Sequence, residues 1–143
     1  MKQCLVDANL LLPLLVRHHE HHKKALEWFD GLVAREARLC RFVQLALIRL
    51  LGNRTIMGDY ALPAGTTWSL MERPMEDERL EFAPEPPLFA VEFPKLLKYP
   101  VATNKLVGDA YLAAFALAGQ MRLATFDADF KQFRGLDLQL LAP

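Results

Sequence analysis

The sequence predicts an α/β fold, a three-layer α/β/α sandwich with a four- or five-stranded parallel sheet. Short apolar segments typical of buried strands alternate with helical segments, and this alternation indicates a parallel sheet covered on both faces. The chain has 143 residues, of which 52% are hydrophobic and 24% charged, as expected for one domain with a core. We therefore expect a single domain over residues 1–143, without repeats or linkers.

The N-terminal part of the chain contains two predicted strands and one predicted helix. Residues 3–6 form a short apolar run that stops at Asp7, which indicates a buried strand. Residues 25–33 carry apolar side chains on one helical stripe and charged side chains on the other side, which predicts an amphipathic helix. Residues 38–40 are a candidate for a second short strand.

The next two predicted elements are helices. Residues 43–51 are apolar on nearly every side, interrupted only by Gln44 and Arg49, and Gly52 follows as a helix stop. We therefore expect this helix to be buried. Residues 63–71 are also predicted to be helical, because prolines are placed to begin and to end the segment.

The C-terminal half continues the alternation of strands and helices. Residues 80–83 alternate like a strand and are closed by prolines, and residues 89–97 indicate a helix that contains a proline. Residues 110–118 are apolar all round, so this helix belongs in the interior. Residues 122–126 and 138–141 are the last two predicted strands.

Aspartates lie where predicted strands end and where the interior helix begins. Asp7 directly follows the first predicted strand, and Asp127 directly follows the fourth. Because the carboxyl ends of parallel strands line the crevice where ligands bind, both side chains are expected at one edge of the sheet. Asp109 opens the interior helix, whose first turn can face the same crevice, and Asp129 lies two residues beyond Asp127.

Carboxylates that converge in this way need a positive charge between them. Burying them uncompensated is costly, and a hard divalent cation such as Mg²⁺ compensates them because it prefers oxygen ligands. Such an ion can lower the pKa of a water molecule and neutralise charge on a phosphodiester, so the pattern favours phosphodiester hydrolysis. The structural alternatives are that Asp109 caps its helix and that Asp127 is an ordinary turn residue.

The charge balance and the cysteine count exclude several classes of protein. With 17 Lys and Arg against 17 Asp and Glu, the chain cannot hold nucleic acid or an anionic membrane by a global positive field. Two cysteines are too few for a disulfide scaffold or a cysteine-built zinc site. No apolar run approaches the roughly 20 residues that cross a bilayer, and no export signal is recognisable. We therefore expect a cytoplasmic protein without a membrane partner.

All four histidines lie in one short segment that begins at His18 and ends at His22. These two residues are four positions apart, a spacing with which a helix could chelate a transition metal. The alternative, which we favour, is that the segment is a polar connection leading into the helix at residues 25–33.

Three segments together resemble the sequence signatures of PIN-domain ribonucleases. They are residues 5–12 (LVDANLLL), residues 109–116 (DAYLAAFA) and residues 123–130 (LATFDADF), in the order and at the spacing of that family. Residues 41–53 (RFVQLALIRLLGN), followed by residues 56–58, are similar to one branch, the VapC-like toxins of type II toxin–antitoxin pairs. The resemblance spans nearly the whole chain and is vague only in the middle.

The resemblance implies a PIN-like fold and a metal-dependent ribonuclease. Asp7, Asp109 and Asp127 become acidic, catalytic metal-site residues, Asp129 an auxiliary metal ligand, and Asn9 a polar group that organises the first loop. The implied activity is endonucleolytic cleavage of RNA with Mg²⁺ or Mn²⁺, leaving a 5′-phosphate and a 3′-hydroxyl. The toxin branch implies a cognate antitoxin that inserts a segment into the active-site groove, and a homodimer.

Gln44 is a departure from the family pattern, which usually has glutamate at this place. Glutamine can still coordinate a metal or hydrogen-bond its water through the carbonyl oxygen, but it supplies no charge. We keep Gln44 among the catalytic candidates, and Arg49 and Thr125 among groups that bind substrate or organise the site. Gln44 also motivates an alternative, a catalytically silent PIN-like RNA-binding or regulatory module. A phosphatase with an aspartate nucleophile is disfavoured, because Asn9 stands where its first motif has aspartate.

Overall fold

Five parallel strands form the sheet on which the molecule is built. The computed structural model describes residues 2–98 and 104–143, and within them the order across the sheet is β3-β2-β1-β4-β5. This confirms the predicted α/β/α fold. The predicted domain extent stays a prediction, since residue 1 and residues 99–103 lie outside the described residues. The strands are β1 (Cys4–Val6), β2 (Ala37–Leu39), β3 (Leu80–Phe82), β4 (Arg122–Thr125) and β5 (Leu138–Leu140).

Seven α-helices are described in the two ranges that the structure covers. Short 3-10 helices also lie at Gly58–Tyr60 and Ala128–Gln132. In these ranges no helix is both long and apolar enough to pass through a membrane. The α-helices are α1 (Ala8–Leu15), α2 (His22–Asp30), α3 (Arg41–Leu51), α4 (Arg54–Met57), α5 (Ala64–Met75), α6 (Phe89–Leu96) and α7 (Asn104–Ala118).

The carboxyl ends of β1 and β4 lie side by side where the order of the strands reverses. From β1 the chain builds the sheet outward through β2 and β3, and it returns to the other side of β1 with β4 and β5. In open α/β sheets, ligands bind in the crevice at such a switch point. Asp7 follows β1 and Asp127 lies just beyond β4, so the topology brings both aspartates to the crevice as predicted.

Helix α1 was not predicted by the sequence pattern. Asp7 is its N-cap, and most of the eight residues that follow are buried. A short helix buried on almost every side shows hardly any polar face, so its sequence lacks the helical period of a surface helix. The consequence for the site is that Asp7 lies at a strand–helix junction and not in an open loop.

The prediction that Asp109 opens the interior helix is wrong. Helix α7 begins at Asn104, so Asp109 lies in its second turn and does not cap it. Gly108, directly before Asp109, lies inside the helix and allows close packing, because a Cβ atom there would lie 3.2 Å from Cζ of Phe42 on α3. The earlier start adds a turn that carries Lys105 next to Asp109.

Helix α3 is amphipathic and not buried on all sides as predicted. Val43 and Gln44 are buried, whereas Leu45 is 45% exposed and Arg49 is exposed. The helix contacts α1 and α5 on one side and leaves the other side to water. The remaining predicted elements are present, with ends that differ by a few residues from those expected.

Leu5→Ala is expected to lower the free energy of unfolding by about 3 kcal/mol, because it opens a cavity in a fully buried position of the central strand. Urea denaturation followed by circular dichroism measures this change. Leu45→Ala removes the same atoms from an exposed position on α3 and is expected to cost less than about 1 kcal/mol. Equal losses in the two variants would contradict the described burial.

Candidate active site

Asp7 is fixed at the junction of β1 and α1. Its Oδ1 accepts a hydrogen bond from the backbone amide of Ala8 at 2.7 Å. Its Oδ2 accepts a hydrogen bond from the hydroxyl of Thr125, the last residue of β4, also at 2.7 Å. Only 9% of the residue is exposed. The start of α1 and the end of β4 therefore hold this carboxylate in a setting with little water.

Asn9 and Thr125 tie the first turn of α1 to the end of β4. Oδ1 of Asn9 accepts a hydrogen bond from the backbone amide of Phe126 at 3.1 Å and lies 3.1 Å from Oγ1 of Thr125. The Thr125 hydroxyl in turn accepts a hydrogen bond from the backbone amide of Asp127 at 3.0 Å. Thr125 therefore links the carboxylate of Asp7 to the backbone of Asp127, and its role in organising the site stays a prediction.

Three further aspartates meet at the ammonium group of Lys105. Its Nζ lies 2.8 Å from Oδ2 of Asp127, 2.8 Å from Oδ2 of Asp129 and 3.1 Å from Oδ2 of Asp109. Asp109 lies one turn after Lys105 on α7, and the other two aspartates follow β4. The four carboxylates of Asp7, Asp109, Asp127 and Asp129 are called the acidic cluster below.

Burial and like charges shift the pKa values in the acidic cluster. Burial, together with the nearby charges of Asp109 and Asp127, raises the pKa of Asp7 from 3.8 to about 6, against the opposing effect of its hydrogen bonds from Thr125 and Ala8. Burial also raises the pKa of Asp109, against the opposing effect of Lys105. Burial acts on Asp127 in the same direction, but its hydrogen bond from Lys105 lowers its pKa overall. Desolvation would lower the pKa of the ammonium, but its three carboxylate partners raise it.

The donor atoms of the acidic cluster fit a hard divalent cation. In the described part of the chain, no three His, Cys, Asp or Glu side chains already stand in a metal-binding arrangement, and three carboxylates surround an ammonium instead. Carboxylate oxygens are nevertheless the ligands that Mg²⁺ and Mn²⁺ prefer. Because these carboxylate oxygens already converge on the ammonium of Lys105, they are well placed to converge on a divalent cation.

Within the part of the chain that the structure describes, Gln44 and Arg49 make no hydrogen bond or ion pair with the acidic cluster. Oε1 of Gln44 accepts a hydrogen bond from Nη1 of Arg41 at 2.7 Å, and the residue lines a groove of about 380 Å³ beside α5. The described lining of this groove includes none of the four aspartates. Arg49 is exposed and lies about 140° around the axis of α3 from Gln44. Their assigned roles in the site stay predictions.

The histidine segment connects α1 to α2. Nδ1 of His22 lies 2.8 Å from the carbonyl oxygen of Pro13, whereas the ring of His18 packs against Tyr60 with centroids 4.3 Å apart. The two histidines of the candidate chelating pair thus have different partners. This arrangement supports the interpretation of the segment as a polar connection.

Lys105 is the site residue that the sequence patterns did not identify. Its spacing of four residues from Asp109 is that of a helical ion pair. The sequence pattern did not indicate this ion pair, because the predicted helix begins after Lys105. A helix start at Asn104 would have placed the two side chains on one face.

The chain matches a known protein family and its relatives. Residues 4–136 match the PIN domain. The chain is 36% identical over 143 residues to Ribonuclease VapC41 of Mycobacterium tuberculosis, and the match covers 96% of this chain and 98% of that relative. The shared region therefore includes all four aspartates of the acidic cluster.

Solved structures share the fold. VapBC2 from Rickettsia felis, bound to a DNA fragment from its promoter, has a TM-score of 0.68 at 16% identity and covers 97% of this chain and 98% of that chain. The sarcin–ricin loop cleaving toxin VapC20 of Mycobacterium tuberculosis has a TM-score of 0.63 at 15% identity, covering 91% and 94%. At these identities the likeness concerns the fold alone.

Proposed function

Because the chain belongs to the PIN-domain family, we propose that it is a metal-dependent endoribonuclease and the toxin of a toxin–antitoxin pair. The observation that carries the proposal is the convergence of three carboxylates on the ammonium group of Lys105, beside the buried Asp7 and at the switch point of a parallel sheet. These carboxylates belong to Asp109, Asp127 and Asp129. The relative named Ribonuclease VapC41 supports RNA as the substrate.

Asp7, Asp109 and Asp127 would hold Mg²⁺ or Mn²⁺, with the more exposed Asp129 at the edge of the site. When bound, such an ion offsets charge on the phosphodiester and provides a water of lowered pKa. Asp7 would bind the ion as a carboxylate, and because its pKa in the metal-free protein is about 6, a proton competes with the ion below that pH. Thr125 and Asn9 are positioning residues, because they hold Asp7 and the start of α1 against the end of β4.

The RNA must be held by local positive groups, because the net charge of the chain is zero. We assign this part to α3, where Arg41 and Gln44 line a groove and Arg49 is exposed. Gln44 presents its amide NH₂ group to the RNA there, since its carbonyl oxygen accepts a hydrogen bond from Arg41. In this assignment Gln44 contacts substrate and does not bind the cation.

The proposed protein partners are a cognate antitoxin and a second copy of the chain. The antitoxin is supported by the solved VapBC complexes that share this fold. The homodimer is supported by large apolar side chains that the single chain leaves exposed, among them Ile56, Leu88 and Val91. The PIN domain match over residues 4–136 supports one domain for residues 1–143.

Chelation tests the proposed function directly. Purified protein stripped with EDTA is expected to leave structured RNAs intact, because four carboxylates without a divalent cation cannot stabilise a phosphodiester transition state. Adding Mn²⁺ or Mg²⁺ is expected to restore cleavage, with 5′-phosphate ends identified by a phosphate-dependent exonuclease. Cleavage that persists unchanged in EDTA would contradict the metal-dependent mechanism.

A silent RNA-binding module is the second candidate, and it is favoured by Gln44, which supplies no charge to a cation and whose carbonyl oxygen accepts a hydrogen bond from Arg41. The same experiment separates the two functions. Binding of RNA in a gel-shift assay, without chelator-sensitive cleavage of any RNA tested, would support the silent module.

A further inference from the structure

Lys105 holds the carboxylates that the proposed function assigns to a divalent cation. Its ammonium donates to one oxygen each of Asp109, Asp127 and Asp129, and so uses all three of its hydrogens. We propose that Lys105 is a resident counter-ion of the acidic cluster that a divalent cation must displace, so that this lysine sets the metal affinity of the site. The inference rests on the proposed function and goes beyond it by adding a residue that competes with the metal.

Electrostatics makes the two cations mutually exclusive on the same oxygens. An ammonium and a dication that share carboxylate oxygens repel each other at short range. The ammonium offsets one of the three charges of Asp109, Asp127 and Asp129, whereas a dication offsets two. The cluster therefore gains from the exchange, but the lost ion pairs reduce the net affinity for the metal.

The side chain of Lys105 is free to leave. It is 56% exposed, and a lysine carries its charge on a flexible four-carbon stem. Its ammonium can therefore move from the carboxylates into water, where hydration replaces the lost ion pairs in part. The three aspartates, in contrast, come from α7 and from the segment after β4, which the sheet positions.

In the absence of a cation, Lys105 has a structural effect. It connects the first turn of α7 to the segment that follows β4, through Asp109 on one side and Asp127 and Asp129 on the other. Without the lysine these carboxylates would repel each other unopposed. We therefore expect the metal-free protein to need Lys105 for stability more than the metal-bound protein does.

The test compares Mn²⁺ binding by isothermal titration calorimetry in EDTA-treated, dialysed full-length protein. Lys105→Met removes the ammonium and keeps the length of the side chain, and it is expected to bind Mn²⁺ roughly tenfold more tightly than the parent. Lys105→Arg retains the charge and is expected to stay close to the parent. Lys95→Met is the matched control, since Lys95 is 61% exposed and pairs with Glu92 one turn away on α6.

Thermal unfolding gives a second readout that is independent of catalysis. In EDTA, Lys105→Met is expected to unfold at a lower temperature than Lys95→Met, and Mn²⁺ is expected to raise its midpoint by more than that of the parent. Unchanged or weaker Mn²⁺ binding by Lys105→Met overturns the inference, even if RNA cleavage proves metal-dependent. Tighter binding supports it even if no RNA is cleaved. Absence of Mn²⁺ binding in every variant overturns both the inference and the metal-dependent function.

Discussion

Asp7→Asn is expected to lower the rate of RNA cleavage about 1,000-fold while the protein stays folded. The amide has the shape of the carboxylate but supplies no negative charge to a cation. Its carbonyl oxygen can keep the hydrogen bond from Ala8, and Thr125 can turn its proton to Asn9, whose Oδ1 lies 3.1 Å away. Single-turnover cleavage of a structured RNA with Mn²⁺ measures the loss, and growth upon expression reports toxicity.

Asp137→Asn is the matched control for this experiment. Asp137 precedes β5 at the opposite edge of the sheet, where it pairs with Lys2 and Arg122. The same chemical change there is expected to leave cleavage within about twofold of the parent. A folded Asp7→Asn variant that cuts RNA as fast as Asp137→Asn would remove Asp7 from the mechanism.

Asp7→Asn is also expected to stabilise the metal-free protein at neutral pH. The pKa of Asp7 rises from 3.8 to about 6 on folding, mainly through burial, so the folded state binds this proton more tightly than the unfolded state does. Stability is therefore lost as the pH rises through the window from about 4 to 6, by about 2–3 kcal/mol in full.

Thermal unfolding in EDTA at pH 4 and pH 7.5 measures this effect. Asp7→Asn lacks the titrating group, so its midpoint is expected to exceed that of the parent by several degrees at pH 7.5 and to approach it at pH 4. A lower midpoint for the variant at pH 7.5 would show that the carboxylate stabilises the fold. Loss of activity together with gained stability is the pattern of a residue retained for function.

The sequence was sufficient to predict that Asp7 and Asp127 share one edge of the sheet, because strand ends are a strong positional signal. Asp7 and Asp127 follow apolar strands, and a parallel sheet leaves little choice about which edge they share. The sequence could not show that Thr125 binds Asp7, because that contact depends on the register of β1 against β4. Strand register follows from packing across the whole sheet and not from local spacing.

The wrong prediction of where α7 begins explains why the sequence did not indicate Lys105 as part of the site. Glycine is a common helix terminator, but Gly108 lies inside α7, where a Cβ atom would come within 3.2 Å of Cζ of Phe42 on α3. This tertiary contact is invisible in the sequence around Gly108. With Gly108 inside the helix, α7 begins at Asn104 and Lys105 lies on it beside Asp109. The wrong helix start thus left Lys105 out of the predicted site.

Thr125→Val is expected to lower RNA cleavage by about tenfold to a hundredfold near pH 6, with a smaller loss at pH 8. Valine keeps the shape of threonine without the hydroxyl, so Asp7 loses a hydrogen bond to its ionised form and its pKa rises further above about 6. A larger fraction of Asp7 is then protonated at a given pH, and the acid limb of the pH–rate profile moves to higher pH. The backbone amide of Asp127 also loses its acceptor, which is expected to cost about 1–3 kcal/mol of stability.

Thr125→Ser separates positioning from packing, because it restores the hydroxyl and removes a methyl group from a fully buried position. If Thr125 acts through Asp7, the serine variant recovers the pH midpoint of the parent even though its stability falls. If Thr125 only fills space, serine and valine reduce cleavage without moving the midpoint, and the serine variant is the worse of the two. The pH profile thus decides whether the hydroxyl sets the ionisation of Asp7, since loss of packing alone lowers the rate equally at every pH.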